Sequence, residues 1–279
     1  QIHCLNRSFT DMMLGLESWI PMYMTGQIAP YYLKGVQNNV YCHFLIVSGS
    51  AALSGECIAG AHERGRYELA KGGEALRYYQ ERADAIRKKA LPLMDIYREK
   101  QAAALHAFQL ADAQKPGPRR RVLSAPPLGT LREETLRTML SSHGLSAAEQ
   151  QYLLEHAAAQ RVHMEQILSH SPITDSFPVL TPEEFARCTP ALSLSTLFFP
   201  KDLRYTYEEY CLHQEQTQEY ACMHNGYTIR PCYTDFRNIS IAVHDGRWAM
   251  ISKSNAPAIH FVVRYAKLRS AIETFIDAP

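Results

Sequence analysis

The sequence predicts an α+β protein with largely helical N-terminal and middle parts and a C-terminal antiparallel sheet closed by a helix. Three observations carry this. Leu76, Tyr79, Ala83, Ile86 and Ala90 recur at three- and four-residue intervals, with Glu81, Arg82, Arg87, Lys88 and Lys89 on the other side, the pattern of an amphipathic helix. Near the end of the chain Ile239, Ile241 and Val243 alternate with Ser240, Ala242 and His244, a period of two that fits a half-buried strand. Finally, Leu268, Ile272 and Phe275 fall three to four apart and place a closing helix at 267–276.

Taken in order, residues 1–114 read as a helical region. Trp19, Ile20, Met22, Tyr23 and Met24 are apolar, but Pro21, Gly26, Pro30 and Gly35 punctuate them, so short helices are expected. The apolar stretch 40–47 suits a buried strand or helix. A DNA-recognition helix needs a polar, basic face after a glycine-containing turn, and 31–44 offers only Lys34. Pro92 ends the charged amphipathic helix, and a second one carrying Met94, Tyr97, Ala104 and Phe108 continues to Ala113.

Residues 115–130, KPGPRRRVLSAPPLGT, have the composition of an exposed linker. Residues 131–171 read as a helical hairpin, with Gly144 ending its first helix and Ser146 and Glu149 forming a capping box for the second. Residues 172–279 form the α/β part. Thr181-Pro182 starts a short helix, and Thr206 a longer one that carries Tyr207, Tyr210, Leu212 and Tyr220 and stops at Asn225-Gly226. A strand follows at 227–233. Asp245-Gly246 predicts a two-residue hairpin turn with positive φ at both positions, Trp248, Met250 and Ile251 a return strand, and Ile259, Phe261 and Val263 a third strand.

Composition narrows the function classes. With 279 residues and a net charge of +1, the chain has room for a sizeable core and no global field to draw it to nucleic acid. Seven cysteines, an odd number without C-x-x-C spacing, predict reduced thiols in a cytoplasm rather than a disulfide framework or zinc site. No run of eighteen apolar residues occurs, so no membrane partner is expected. The chain begins with Gln1, without a charged, apolar leader, and reads as a fragment of a longer protein. His156, His163 and His170 share a helix face but stand two turns apart, too wide for one metal. No G-x-S-x-G, G-x-G-x-x-G or P-loop pattern is present, and no cofactor or metal is expected. Arg119, Arg120 and Arg121 form the densest cationic run and are expected on a solvated linker, with phosphate contact as the alternative.

The stretch 238–255, NISIAVHDGRWAMISKSN, resembles a phospholipase-D-type half-site, in which one half reads H-x-K-x4-D followed by G-S-x-N. Asp245 and Asn255 keep that spacing, whereas Asn238 and Ser240 stand at the His and Lys positions, and Ser252 and Lys253 replace the Gly-Ser pair. The resemblance covers 236–275 and implies a scaffold that has lost its chemistry, with no catalytic residue carried over. Degenerate domains of this kind occur in bacterial helix-turn-helix transcription regulators. The resemblance therefore implies a non-catalytic effector-sensing or dimerisation region, with DNA reached only through a module outside this chain. Its partners would be a small-molecule effector and a second copy of the chain. Asn238, Ser240, Lys253 and Asn255 are the expected ligand-binding residues. The alternative is a hydrolase or transferase using His244 or His260 as general base.

Overall fold

A computed structural model of the chain describes residues 1–3, 8–26, 28–34, 40–232, 238–253 and 255–277. Cys4, Gly35 and the expected strand end at Tyr233 lie outside them. The chain divides into two units, Gln1–Leu93 and Met94–Pro279, so the boundary falls inside the expected helical region 1–114.

The first unit is not largely helical. It contains β1 (Ile2–His3), α1 (Phe9–Met24), β2 (Tyr31–Tyr32), β3 (Tyr41–Val47), β4 (Ala51–Ile58), β5 (Arg66–Lys71), α2 (Gly73–Lys89) and β6 (Leu91–Pro92). Ser8 caps α1 by accepting from the Asp11 amide, and the helix continues through Pro21 as one element in place of the short helices expected. The strands β3, β4 and β5 form an antiparallel meander. One face of it meets α2, with Leu76 and Tyr79 packed against Leu45, Val47, Ala52 and Ala70. On the other face the Phe44 and Tyr67 rings close over Gly55, their centroids 5.8 Å apart. A Cβ at Gly55 would lie 2.2 Å from the Phe44 ring, so the close approach requires glycine.

The second unit is built on a seven-stranded mixed sheet. Its elements are β7 (Met94–Tyr97), α3 (Ala102–Ala113), β8 (Arg119–Val122), α4 (Glu133–Ser142), α5 (Ala147–Leu168), β9 (Ile173–Phe177), α6 (Pro182–Arg187), α7 (Tyr207–Met223), β10 (Tyr227–Pro231), β11 (Ile239–His244), β12 (Trp248–Lys253), β13 (Ile259–Val263) and α8 (Ala266–Asp277). The strand order is β10-β9-β8-β11-β12-β13-β7. Strands β8, β9 and β10 run parallel, and from β8 through β11, β12 and β13 to β7 each pairing is antiparallel. The C-terminal sheet is therefore mixed, not purely antiparallel. Helices connect its parallel strands, as crossover connections require.

Caps explain why the helices start where they do. Ser146 with Glu149, Thr181 with Glu184 and Thr206 with Glu209 each form a reciprocal capping box. Gly144, at φ 65, ends α4 in the left-handed conformation that favours glycine. Two expectations fail. Residues 94–97 pair with β13 as a strand instead of opening a helix. The expected linker 115–130 contains β8, an inner strand with neighbours on both sides. The Asp245-Gly246 turn is present, but three residues separate the paired His244 and Trp248. Only Gly246 takes positive φ, at 72, with Arg247 N–H donating to His244 O. That geometry is a type II turn, which leaves the Asp245 backbone unstrained.

The sheet has two unlike faces. One carries Ile241, Val243, Ala249, Ile251, Phe261 and Val263, all buried, and α8 packs on it through Leu268, Ala271 and Ile272. The opposite face is covered by α3, α5 and α7, with Leu105 and Phe108 against Met250 and Val262, and Met164, Ile167 and Tyr220 against Ile173 and Tyr227. A second core lies among α4, α5, α6 and α7, centred on Leu131, Leu136, Leu140, Leu153 and Tyr210. No helix among the described residues is long and apolar enough to cross a membrane.

Candidate functional site

Three consecutive arginines form the middle of the sheet, which their sequence context did not suggest. A strand alternates its side chains, so Arg119 and Arg121 face α3 and α5 while Arg120 faces the other way. Each finds a carboxylate. Arg119 is 4 % exposed, and its Nη2 donates to Asp112 Oδ2 at 3.0 Å and to the carbonyls of Asp112 and Lys115. Arg121 donates through Nε and Nη2 to the two oxygens of Asp175, both at 2.5 Å, and Asp175 is wholly buried. Arg120 meets Asp245 and Asp277. A bare arginine in this position would be costly, and the paired carboxylates are what permit the strand. Burial pulls the Arg121 guanidinium down, but Asp175 outweighs it and the net shift is upward.

The carboxylates are themselves fully engaged. Asp175 Oδ2 also accepts from the Tyr227 hydroxyl at 2.6 Å. Asp112 Oδ1 accepts from Trp248 Nε1 at 2.8 Å and stands 2.9 Å from His244 Nδ1. The far side of that imidazole meets Pro116 O at 3.2 Å. Gly117 presses on it so closely that a Cβ would lie 2.6 Å from His244 Nε2, and its φ of 137 is one that glycine alone takes readily.

Above this layer is a cavity of about 130 Å³. Strands β8, β11 and β12 supply Arg119, Arg121, Ser240, Ala242, Trp248, Met250 and Ser252 to its wall. Helices α3 and α5 close it with Phe108, Gln109, Asp112, Gln160, His163 and Met164. The Phe108 and Trp248 rings meet edge to face, 5.4 Å apart, and form its aromatic wall. Arg119 Nε is buried without a hydrogen-bond partner. His163 is held neutral, its pKa lowered to about 4 by burial and then by the nearby Arg121.

A second polar pair borders the cavity. Ser252 Oγ lies 2.8 Å from His260 Nδ1, and His260 Nε2 lies 3.1 Å from Ser195 O. A carbonyl can only accept, so Nε2 carries the proton and Nδ1 accepts from the Ser252 hydroxyl. Burial lowers the His260 pKa to about 4 and keeps the ring neutral. Phe198, the one non-glycine residue with positive φ among those described, packs edge to face on His260 at 5.2 Å. His213, in the helical core, repeats the arrangement, with Tyr205 OH 2.8 Å from Nδ1 and Pro127 O 3.2 Å from Nε2. It lies away from the cavity lining, and burial lowers its pKa to about 3.

The four residues expected to bind a ligand do not converge. Ser240 lines the cavity. Lys253 points to the opposite face of the sheet by strand parity, and its Nζ donates to the carbonyls of Ala256 and Pro257 at 3.3 Å. Asn238 and Asn255 pair with one another at 3.2 Å beyond the strand ends. Of the two histidines considered as bases, His244 is committed to Asp112 and Pro116, whereas His260 touches Ser252 beside the cavity. Sequence reasoning placed Arg119 and Arg121 on a solvated linker and passed over their partners Asp112 and Asp175, the cationic run being the available signal. Among the described residues no group of three His, Cys, Asp or Glu side chains could hold a metal ion, and Cys42, Cys57, Cys188, Cys211 and Cys222 are free thiols. No family model, curated protein or solved structure matches the chain.

Proposed function

We propose that the second unit is a non-catalytic sensing domain that binds a small-molecule effector in the cavity between the β8–β11–β12 face and helices α3 and α5. The observation that carries this reading is the cavity itself, whose wall combines an aromatic pair with a buried arginine nitrogen lacking a partner. Binding sites of small molecules join an apolar wall to a few placed polar groups in this way. The resemblance of 236–275 to degenerate phospholipase-D-like regions of helix-turn-helix regulators supports a role in transcription control, in the cytoplasm and as a homodimer. DNA would be contacted through a module outside these residues. Occupancy would bias the arrangement of α3 and α5, which close the cavity, by differential affinity for two states.

The test is thermal unfolding against a panel of small metabolites, with Ala242→Leu as the control. Ala242 lines the cavity, and the larger side chain fills part of it. An effector at one hundred times its dissociation constant stabilises the folded state by about 2.7 kcal/mol. That shift is expected in the wild type and not in Ala242→Leu. A panel that moves both proteins equally sinks the proposal.

A second reading, a hydrolase or transferase, is favoured by the Ser252–His260 pair, since a neutral imidazole accepting a serine proton is the first half of nucleophilic catalysis. Turnover of p-nitrophenyl esters abolished by both Ser252→Ala and His260→Gln would establish it.

A further inference from the structure

The hydrogen-bonding groups that line the cavity are unevenly spent. Asp112 is its one carboxylate, and both oxygens are taken, Oδ1 by Trp248 and His244 and Oδ2 by Arg119. The guanidinium groups are not exhausted. Arg119 Nε is buried without a partner. Arg121 uses Nε and Nη2 on Asp175 and Met164, and its Nη1 makes no hydrogen bond among the described residues. The two arginines stand two residues apart on one face of β8, a separation of about 7 Å along the strand. Close by, His163 is uncharged and makes no hydrogen bond among the described residues. Guanidinium donor capacity therefore remains beside the cavity, and a ligand with two acceptor oxygens and a negative charge would answer it with charge-assisted bonds.

The wall also has an apolar part, formed by Phe108, Met164, Ile173, Trp248 and Met250, beside uncharged polar groups such as Gln109, Gln160 and Thr196. At about 130 Å³ the space approaches that of a cavity able to admit benzene, about 150 Å³. An inorganic phosphate or sulfate would satisfy the arginines but leave those rings and thioethers facing water.

From this we infer that the effector is a short-chain organic carboxylate of about benzene's size. Its carboxylate would lie on Arg121 Nη1 and beside the Arg119 guanidinium, and its aliphatic body against Phe108, Trp248 and Met250. The inference rests on the effector-binding reading above and names the ligand class of that site.

Trp248 lines the cavity, so its fluorescence reports occupancy in a Trp19→Phe background that removes the second indole. Sodium butyrate, butyramide, 1-butanol and sodium phosphate would be titrated at constant ionic strength. Butyrate is expected to saturate, with butyramide, butanol and phosphate at least an order of magnitude weaker. Arg121→Lys keeps a cation beside Asp175 but loses Nη1, and should weaken butyrate about tenfold without changing butanol. Ala242→Leu should abolish all responses. Butyramide or butanol matching butyrate overturns the carboxylate assignment and leaves the cavity reading standing. Phosphate alone binding replaces it with an inorganic-anion site. No saturable response from any probe overturns the ligand class, and the wider metabolite panel above then decides the sensing reading separately.

Discussion

The two faces of the large sheet are made by the same strands and hold together by different physics. Under α8 the strands present Ile241, Val243, Ala249, Ile251, Phe261 and Val263, and burial of apolar area suffices. Under α3 and α5 the intervening residues include, beside the apolar Met250 and Val262, the polar Arg119, Arg121, His244, Ser252 and His260, and each polar one is positioned by a named partner. Replacing such a buried ionic layer by apolar side chains is often neutral or stabilising. A face that keeps it, and keeps a cavity as well, is organised around something other than stability. The proposed effector site lies on that α3/α5 side.

The contrast can be broken most strongly at Asp175. Asp175→Ala would strand Arg121 in the sheet, and a loss of about 3–5 kcal/mol is expected in urea unfolding. A loss under about 1 kcal/mol would mean the ion layer is not what holds that face.

Acid comes next, and within the sheet it acts on the polar face. His260 has a folded pKa of about 4 against an ordinary value of 6.5, so the unfolded chain binds the extra proton between those limits. The stability from its neutral ring is complete above pH 6.5, declines as pH falls and is gone below about 4. One such group gives a slope of about 1.4 kcal/mol per pH unit within that window. His213, lowered to about 3, adds its own slope from the helical core. His260→Gln should remove one proton from the uptake on unfolding and leave that of His213.

The smallest of the three changes sharpens the other side. Ile272→Ala truncates a buried residue of α8 against the apolar face, for about 2–3 kcal/mol. Unlike acid, it should act equally at pH 5 and pH 8. A pH-dependent cost there would mean that the two faces are not independent.

How far the fold could be read from the sequence follows the same division. Strands β11, β12 and β13 and helix α8 were legible because one face is uniformly apolar and the Asp245-Gly246 turn fixes where the chain reverses. The capped helices α5, α6 and α7 were legible from Ser146, Thr181 and Thr206, whose hydroxyls mark helix starts locally. Strand β8 was not. Arg-Arg-Arg in a proline-rich stretch has the composition of solvent, and of the acids that make its burial tolerable Asp175 and Asp245 are more than fifty residues away, while Asp112 is seven residues upstream on α3. The first unit reads as helical in sequence, whereas strand β4 runs through Gly55, whose place Phe44 and Tyr67 fill from the neighbouring strands. The half-site resemblance led to Lys253 and Asn255, but strand parity sends Lys253 to the far face and Asn255 is held by Asn238.

The run in β8 has one more implication. Three identical side chains cannot by themselves say which of them belongs where. Were the strand to slide by one residue so that Arg120 took the place of Arg119, two of the three positions would still hold arginine. Only Val122, arriving opposite Asp175, would register the error by leaving a buried carboxylate unanswered. Slid the other way, Pro118 would face Asp112, and Arg121 would enter the apolar layer at the place of Val122. Each slip also turns every side chain to the opposite face. Asp112, Asp175 and Asp245, each on a different element, thus serve less as glue than as a proofreading device: the acids spell out the alignment that the arginines cannot.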